Sequence, residues 1–530
     1  MTHNKNIKVL IVGAGTSGLM LALLLEIAGI DYLLLEKKST FLPPSRTCVL
    51  SAVVLPLLEQ LGFLREIEAN SLPARKFKIK RQGNMDETVG EFDGSIFEQR
   101  YGYPTLVLPR PAFYNVLLRG VPKQKILLGK RVLSTTQSDQ GVLVRCADGS
   151  TYSGDLLVGA DGPNSAVRAN LYRQIDAAKK AAAAQVAAAK AAAAAAFSNS
   201  LASSTPVHKS SSRDGEDGMT EPLTSVKAKS GSAKVTMVHH SGSGTSLYEE
   251  EDRGERAWTV MGITQPLDRI LYPDLDLPYS DFVIVMGQKN KHTYWCMPTA
   301  NRRLQWTITT PIEKSDKAMG DDGFKASEFG QEAIDEMCSK YEHYVCPYGG
   351  TMADIFRQSP RPLMSKVLVQ EKIYDIWHSQ RTVLLGNACH KFPPSAGMID
   401  NINISESAAL ANLIYQLESN SMSEIRSALT RYQQEREPYA RGALLLSKQL
   451  FAIFAEQGLV AGINRKLALS KATEGAHRKL NDQAHKDRPQ VVFLPMVPHR
   501  GIFVRRDPPV LRGIHQQPHT PPGSTSSLSS

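Results

Sequence analysis

Cysteine is scarce and scattered. Cys48, Cys146, Cys296, Cys338, Cys346 and Cys389 include no Cys-x-x-Cys pair. That argues against a zinc site or a disulfide framework and points to a reduced, intracellular setting. Long uncharged apolar runs are missing as well. Leu19–Leu35 carries Glu26 and Asp31, and Ala443–Ile463 is interrupted by Lys448, Glu456 and Gln457. Neither reads as a membrane span; the second reads as a buried or surface-lying helix. No charged leader with an apolar core and cleavage site precedes the first apolar run at Ile7, so no signal peptide is expected. The expected location is cytoplasmic, with peripheral membrane association open but not indicated. The formal charge is +10 and the pI about 9.1, yet no dense Lys/Arg stretch with interleaved aromatics occurs. Nucleic-acid binding is therefore not expected, and the excess charge suits small anionic ligands. With 530 residues, 42% apolar and 22% charged, the chain has room for two or three domains and a large core.

What is present is concentrated first in Ile7–Glu36. A short apolar run, Ile7–Val12, reads as a buried strand. Gly13-Ala14-Gly15-Thr16-Ser17-Gly18 follows, then a helix-length apolar stretch, then Asp31–Leu35 as a second strand ending at Glu36. This is the spacing of a dinucleotide site. Gly13 permits the tight turn, Gly15 lets backbone approach a pyrophosphate, and Gly18 lets helix and strand pack closely. The helix N-terminus offers amides and a positive dipole end to phosphate. Glu36 is placed to take the adenosine ribose hydroxyls, and its charge disfavours a 2′-phosphate. FAD or NAD fits better here than NADP.

Further along, Ser51–Leu64 reads as a helix and Ala74–Gln99 as strands of a second sheet. Leu106–Leu108 reads as a strand before a helix from Pro111. Lys125–Val132 and Val142–Cys146 read as strands, with a turn at Asp148-Gly149. Asp155–Gly162 is another buried strand ending in glycine and acid. Ala177–Ala196 is nearly all alanine, helical by propensity but without an apolar face. Ser198–Glu251 is rich in Ser, Gly and Lys, and residues 178–254 read as a disordered insertion. Trp258–Ile263, Asp281–Met286, Thr293–Met297 and Gln305–Thr310 read as an antiparallel sheet, a roof over a ligand. Tyr294, Trp295 and Trp306 on it are candidates to line a pocket or to fill a core. Ala326–Tyr341 is a helix, Lys366–Gln370 a strand, and Arg381–Gly386 a strand that should rejoin the first sheet. Asn403 with Glu406 suggests a capping box for a helix ending at Leu417. Ile425, Ala428, Leu429 and Tyr432 mark one face of another helix. The tail from His515 reads as disordered.

Three separated motifs line up: Gly13–Gly18 with Glu36; Asp155–Gly162 with Pro163-Asn164-Ser165-Ala166-Val167-Arg168; and Gly386-Asn387-Ala388-Cys389-His390 through Gly397. Together they resemble the class A FAD-dependent monooxygenases, the para-hydroxybenzoate hydroxylase family, and within it fungal enzymes of the paxilline-pathway type. The likeness covers about residues 7–175 and 255–505. It implies an α/β protein: a Rossmann-like FAD-binding domain, a β-sheet substrate domain and C-terminal helices. The FAD domain would span 1–177, with substrate-domain strands interleaved around 74–104. The substrate domain would span 255–365, a return to the FAD domain 366–420, a C-terminal helical region 421–514 and the tail 515–530. The resemblance further implies FAD, NADPH or NADH as reductant, O2, and hydroxylation or epoxidation of a small organic substrate, secondary metabolites included, through a flavin C4a-hydroperoxide. It places Arg110 at the flavin or its phosphates and Asp161 near the pyrophosphate and nicotinamide path. Asn387 falls at the ribityl chain, and Gly397 with Asp400 in the loop passing the isoalloxazine ring. No metal is implied, and no catalytic side chain is assigned; His390 is given a loop role.

Two positions depart from the family. Asn387 stands where an aspartate is usual, and Ile399 where a glycine is usual. The amide keeps an acceptor but loses a charge-assisted bond, and a β-branched residue cannot cheaply take a glycine-only backbone. A second reading follows: a flavin-fold protein with weakened or lost FAD binding, acting as a non-catalytic binding partner. A third is an FAD-dependent dehydrogenase or reductase of the same fold.

Overall fold

Strand Lys8–Val12, apolar and buried beyond Lys8, pairs in parallel with Asp31–Leu35 on one side and Leu156–Gly159 on the other. Helix Thr16–Ala28 joins the first two strands and is buried nearly all round, as a helix clamped between layers must be. The computed structural model describes residues 7–41, 46–202, 257–287, 292–312, 329–392, 397–455 and 478–503, apart from 480, 484 and 499. The first sheet has six strands in the order His378–Ser379, Thr382–Leu384, Leu156–Gly159, Lys8–Val12, Asp31–Leu35, Ile126–Leu127. The Arg381–Gly386 run thus rejoins it, parallel to Leu156–Gly159.

A second, nine-stranded sheet carries the four roof strands together with Thr47–Leu50, Leu72–Arg81, Asn84–Asp93, Leu106–Pro109 and Met364–Val369. Its register separates two faces, because alternate side chains point oppositely. Tyr294, Cys296 and Trp306 face a buried core with Val260, Val283 and Met352. The other face carries the row Met261, Thr307, Trp295, Ile284, Ile79 and Gly90. Of the three aromatics singled out from sequence, Tyr294 and Trp306 are therefore core. Trp306 donates to Ser359 Oγ at 2.7 Å and Tyr294 to the Val345 carbonyl at 3.0 Å. Trp295 alone lies on the opposite face. The sheet curls enough for Thr47 N to donate to Gln305 Oε1 at 3.1 Å.

Three expectations are corrected. Helix Ala166–Ala202 runs on through residues 178–202, where the sequence reading begins a disordered insertion; alanine's low entropic cost in a helix is the reason. The residues fall into two units, 1–168 with 252–530, and 169–251; positions 203–254 of the expected insertion and the tail 515–530 lie outside the described residues. The capping box at Asn403 and Glu406 is not formed. That helix begins four residues earlier, as Ile399–Tyr415, with no side-chain cap. Ile399 is therefore its first helical residue and never needs a glycine-only backbone. The region 421–514 is helical over Met422–Ala455, where Ile425, Leu429 and Tyr432 are buried, but residues 485–503 are irregular. None of the described helices is long and apolar enough to cross a membrane.

That irregular segment and the helical residues 481–483 just before it clamp onto helix Ile96–Tyr101. Asp482 accepts from Arg100 and Tyr101, Arg488 donates to the Tyr101 carbonyl at 2.9 Å, and His485 stacks on Tyr101 at 4.0 Å. Burial holds the His485 imidazole neutral, lowering its pKa to about 4. The unfolded chain takes up that proton near pH 6.5. Stability is thus complete above about pH 6.5 and falls as pH drops toward 4, by about 2–3 kcal/mol at pH 4.5. Thermal unfolding of His485→Phe between pH 7.5 and 4.5 is expected to lack this component; equal slopes in the variant and the wild type would refute it.

Candidate functional site

The turn after the first strand is built around glycines that tolerate nothing else. Gly13 has φ +103°, and a Cβ there would lie 2.5 Å from the Ala160 carbonyl; a Cβ on Gly18 would lie 1.9 Å from the Gly13 carbonyl. Gly15 is the opposite case: a Cβ there would meet nothing within 4 Å. Gly15 is the N-cap of helix Thr16–Ala28, which has no side-chain cap and no acid in its first turn. Its first amides and positive dipole end are left for an external anion. Glu36 sits beside the turn, accepting from Ala14 N at 2.8 Å and from Lys38 N at 2.9 Å. Tyr114 on helix Arg110–Arg119 donates to the Ala14 carbonyl at 2.5 Å.

The third motif packs directly on this helix. Gly386 has φ +65°, and a Cβ there would lie 2.2 Å from Ser17 Oγ. Ser407 Oγ donates to the Ser17 carbonyl at 3.1 Å, which fixes helix Ile399–Tyr415 against the glycine turn. Glu406 accepts from Gly386 N at 3.0 Å and pairs with His390 Nε2 at 2.9 Å. Both side chains are wholly buried, and His390 stacks on Phe392 at 4.4 Å. His390 is part of the framework under the motif. Cys389 Sγ lies within 4.8 Å of ligand atoms of His390 and Glu406, but it donates to the Gly386 carbonyl at 3.2 Å. Both Glu406 oxygens are used too, and within this trio His390 Nδ1 alone is buried without a partner among the described residues. Asn387, half-buried, accepts from Asn403 Nδ2 at 3.4 Å. Asn403 Oδ1 is buried without a partner among the described residues, an acceptor awaiting a hydroxyl.

Arg110 and Asp400, assigned separately from sequence, form one buried ion pair through Arg110 Nη2. Arg110 Nε is buried and unpartnered among the described residues. Arg46 lies alongside, and the Arg110 charge with burial lowers its guanidinium pKa to about 10; burial pushes the neighbouring Cys48 thiol up. Two guanidinium cations face one carboxylate, so the cluster is short of an anion. Gly397, at φ +61°, packs against Val49, and Asn401 ties the same turn to the Val49 carbonyl at 2.7 Å.

Asp161 is committed elsewhere. Its carboxylate accepts from Ser165 Oγ at 2.5 Å, Ala166 N at 2.7 Å and Val167 N at 3.2 Å. It caps the helix that follows. The turn it holds lets Arg168 donate to the Ala388 carbonyl at 2.8 Å, which joins the second motif to the third. Sequence reasoning missed Tyr114, Asn403 and Glu406. The signal for Glu406 was there: an acid set among Ile402, Ile404, Ala408 and Leu410.

These features fit a flavin dinucleotide: an open helix N-terminus for a pyrophosphate, a carboxylate at the end of the second strand for ribose hydroxyls, an orphan acceptor and an under-neutralised cation cluster. Comparison with known proteins agrees. Residues 6–270, half of the chain, match the family model described as FAD binding domain. An FAD-dependent monooxygenase, cle3, from Aspergillus versicolor is 24% identical over 472 residues, covering 87% of this chain and 79% of the relative. The FAD-dependent monooxygenase paxM from Penicillium paxilli is 25% identical over 422 residues, 78% and 70% of the two chains. Among solved structures, Klebsiella pneumoniae HpxO complexed with FAD and uric acid superposes with a TM-score of 0.60 at 17% identity, over 91% of this chain and 96% of that one.

Proposed function

The chain belongs to the FAD binding domain family, as a class A FAD-dependent monooxygenase, and from that premise we propose that it uses NAD(P)H and O2 to hydroxylate or epoxidise a small organic substrate. The observation that supports this reading most is the uncapped helix N-terminus at Gly15, with the orphaned Asn403 Oδ1 beside its first turn. Asn403 and Ser17 both border Gly386, and Arg110, its Nε unpartnered among the described residues, lies on the helix whose Tyr114 reaches the Ala14 carbonyl. Gly13, Gly15 and Gly18 would hold the pyrophosphate on backbone amides. Glu36 would exchange its Ala14 amide for the adenosine ribose. Arg110, held by Asp400, would turn its free edge to a phosphate or the flavin. Asn387 and Asn403 would meet the ribityl hydroxyls, and the Gly397 turn would pass the ring. Asp161 would act indirectly, by holding the turn beside the pyrophosphate and the nicotinamide path. The bound cofactor, reduced by NAD(P)H, supplies the activation of O2. One oxygen atom enters the substrate, the other leaves as water, and NAD(P)H with one proton gives up two electrons. The chain's own part is to orient the ring and keep water from it.

Asn387 is the one feature favouring the non-catalytic reading, because a carboxamide accepts more weakly than a carboxylate. The test is a titration of purified protein with FAD, followed by quenching of flavin fluorescence. Saturable binding at micromolar concentration or tighter is expected, with Asn387→Asp tightening it by about 1–2 kcal/mol, roughly 5- to 30-fold. No binding by either protein would overturn the monooxygenase reading.

A further inference from the structure

One cluster beneath the Gly386 turn is made of metal-ligating side chains. Cys389 Sγ, a ring nitrogen of His390 and a carboxylate oxygen of Glu406 all lie within 4.8 Å of one another. All three residues are wholly buried. Aromatic rings close the cluster off: Phe392 stacks on the imidazole at 4.4 Å, and Trp377 lies 5.9 Å from it. Two polar atoms here are buried without a partner among the described residues, His390 Nδ1 and Tyr432 Oη. Burial first, then the Glu406 and Cys389 charges, push the Tyr432 hydroxyl well up, which places Tyr432 beside the other three.

Buried polar atoms are nearly always paired, so two orphans beside one carboxylate call for an occupant. Thiolate, imidazole and carboxylate are together the ligand types of zinc. The ion stands about 2.0–2.3 Å from each of its ligand atoms, so the cluster needs a closure of about 1 Å at its widest. Zinc entering here replaces two internal hydrogen bonds, from Cys389 Sγ to the Gly386 carbonyl and between His390 Nε2 and Glu406 Oε1. It leaves the second Glu406 oxygen on Gly386 N at 3.0 Å. The charges balance: a divalent cation meets one thiolate and one carboxylate, and the thiol proton is released. A neutral assembly is what a wholly buried place tolerates. Tyr432 Oη offers a donor atom for the fourth position.

We infer that Cys389, His390 and Glu406 form a buried zinc site, with Tyr432 on its fourth side, which braces the Gly386 turn from below. No Cys-x-x-Cys pair announces it: a Cys-His dipeptide meets an acid 16 residues beyond the histidine. The inference does not rest on the monooxygenase reading, because none of these four side chains is assigned to the cofactor.

The experiment measures metal retention by the untagged full chain, free of FAD. Protein stripped with EDTA is mixed with a small excess of zinc chloride, passed through gel filtration and assayed for zinc by mass spectrometry. About one zinc per chain is expected to stay bound. Cys389→Ser and His390→Gln should each weaken zinc at least about 100-fold, since losing a direct ligand costs more than losing a supporting contact. Cys146→Ser, at a buried thiol elsewhere, should retain zinc like the wild type. Should the two ligand variants fail to fold, cobalt(II) added to the stripped wild type decides, through the thiolate-to-cobalt charge-transfer absorption expected of a cysteine ligand. No retained zinc, no cobalt–thiolate absorption, or wild-type retention by Cys389→Ser overturns the inference and leaves an ordered water as the occupant.

Discussion

Gly15→Val is expected to fold like the wild type and to lose FAD. The added side chain meets nothing of the protein within 4 Å at its Cβ, so the native state is not crowded. It occupies the approach to the helix N-terminus, where a pyrophosphate must come within hydrogen-bond reach of backbone. Losing those contacts should weaken FAD at least about 100-fold, near 3 kcal/mol, with a melting temperature within a few degrees of wild type in the absence of FAD. Gly18→Val is the control of opposite kind. Its Cβ would collide with the Gly13 carbonyl at 1.9 Å, so it should fail to fold at all. Calorimetry with and without FAD reads both outcomes. A Gly15→Val protein that retains micromolar affinity would remove the glycine turn from the cofactor site.

Arg110→Met should act on both stability and binding. It takes the hydrogen-bonded partner from the buried Asp400 carboxylate and leaves it Arg46 alone, so the loss should stay below the roughly 3–5 kcal/mol of a fully stranded charge, at about 1–3 kcal/mol. It also deletes the donor edge assigned to the cofactor. Adding Asp400→Asn to Arg110→Met removes the carboxylate whose direct partner is gone but leaves Arg46 without a counter-charge, so the double variant should regain only part of the lost stability. It should not regain FAD affinity. Chemical denaturation with the full double-mutant cycle separates the two effects. If the double variant binds FAD like the wild type, Arg110 is purely structural.

The glycine turn, its flanking strands and the return strand at Thr382–Leu384 were readable in the sequence, because each is a short apolar run whose geometry is dictated locally. The roof strands were readable by composition, but not which of their aromatics fill the core and which lie on the opposite face. That depends on cross-strand register, and Trp295 and Tyr294 differ only by one residue of phase. The Arg110–Asp400 pair was invisible for a different reason: its members are 290 residues apart in sequence, and nothing local marks them as partners. Asn403 and Glu406 were legible as residue types and misread as a cap. Their spacing satisfies the capping pattern, yet tertiary contacts with Asn387, Gly386 and His390 claim them. The clamp of residues 482–503 on Tyr101 carries no periodic signal at all.

The strand order of the first sheet also sets a schedule for synthesis. Lys8–Val12 lies one strand away from Thr382–Leu384, and the Glu406 carboxylate that receives Gly386 N comes later still. A ribosome must therefore deliver some four hundred residues before the cofactor fold can close. Until then Leu156–Gly159 is an open edge, exposed to pairing with other chains. Contacts of such long sequence separation slow the search for the native state. Acquisition of FAD is in consequence expected only after some four hundred residues have been made, and fragments ending before Leu384 should aggregate rather than retain the cofactor.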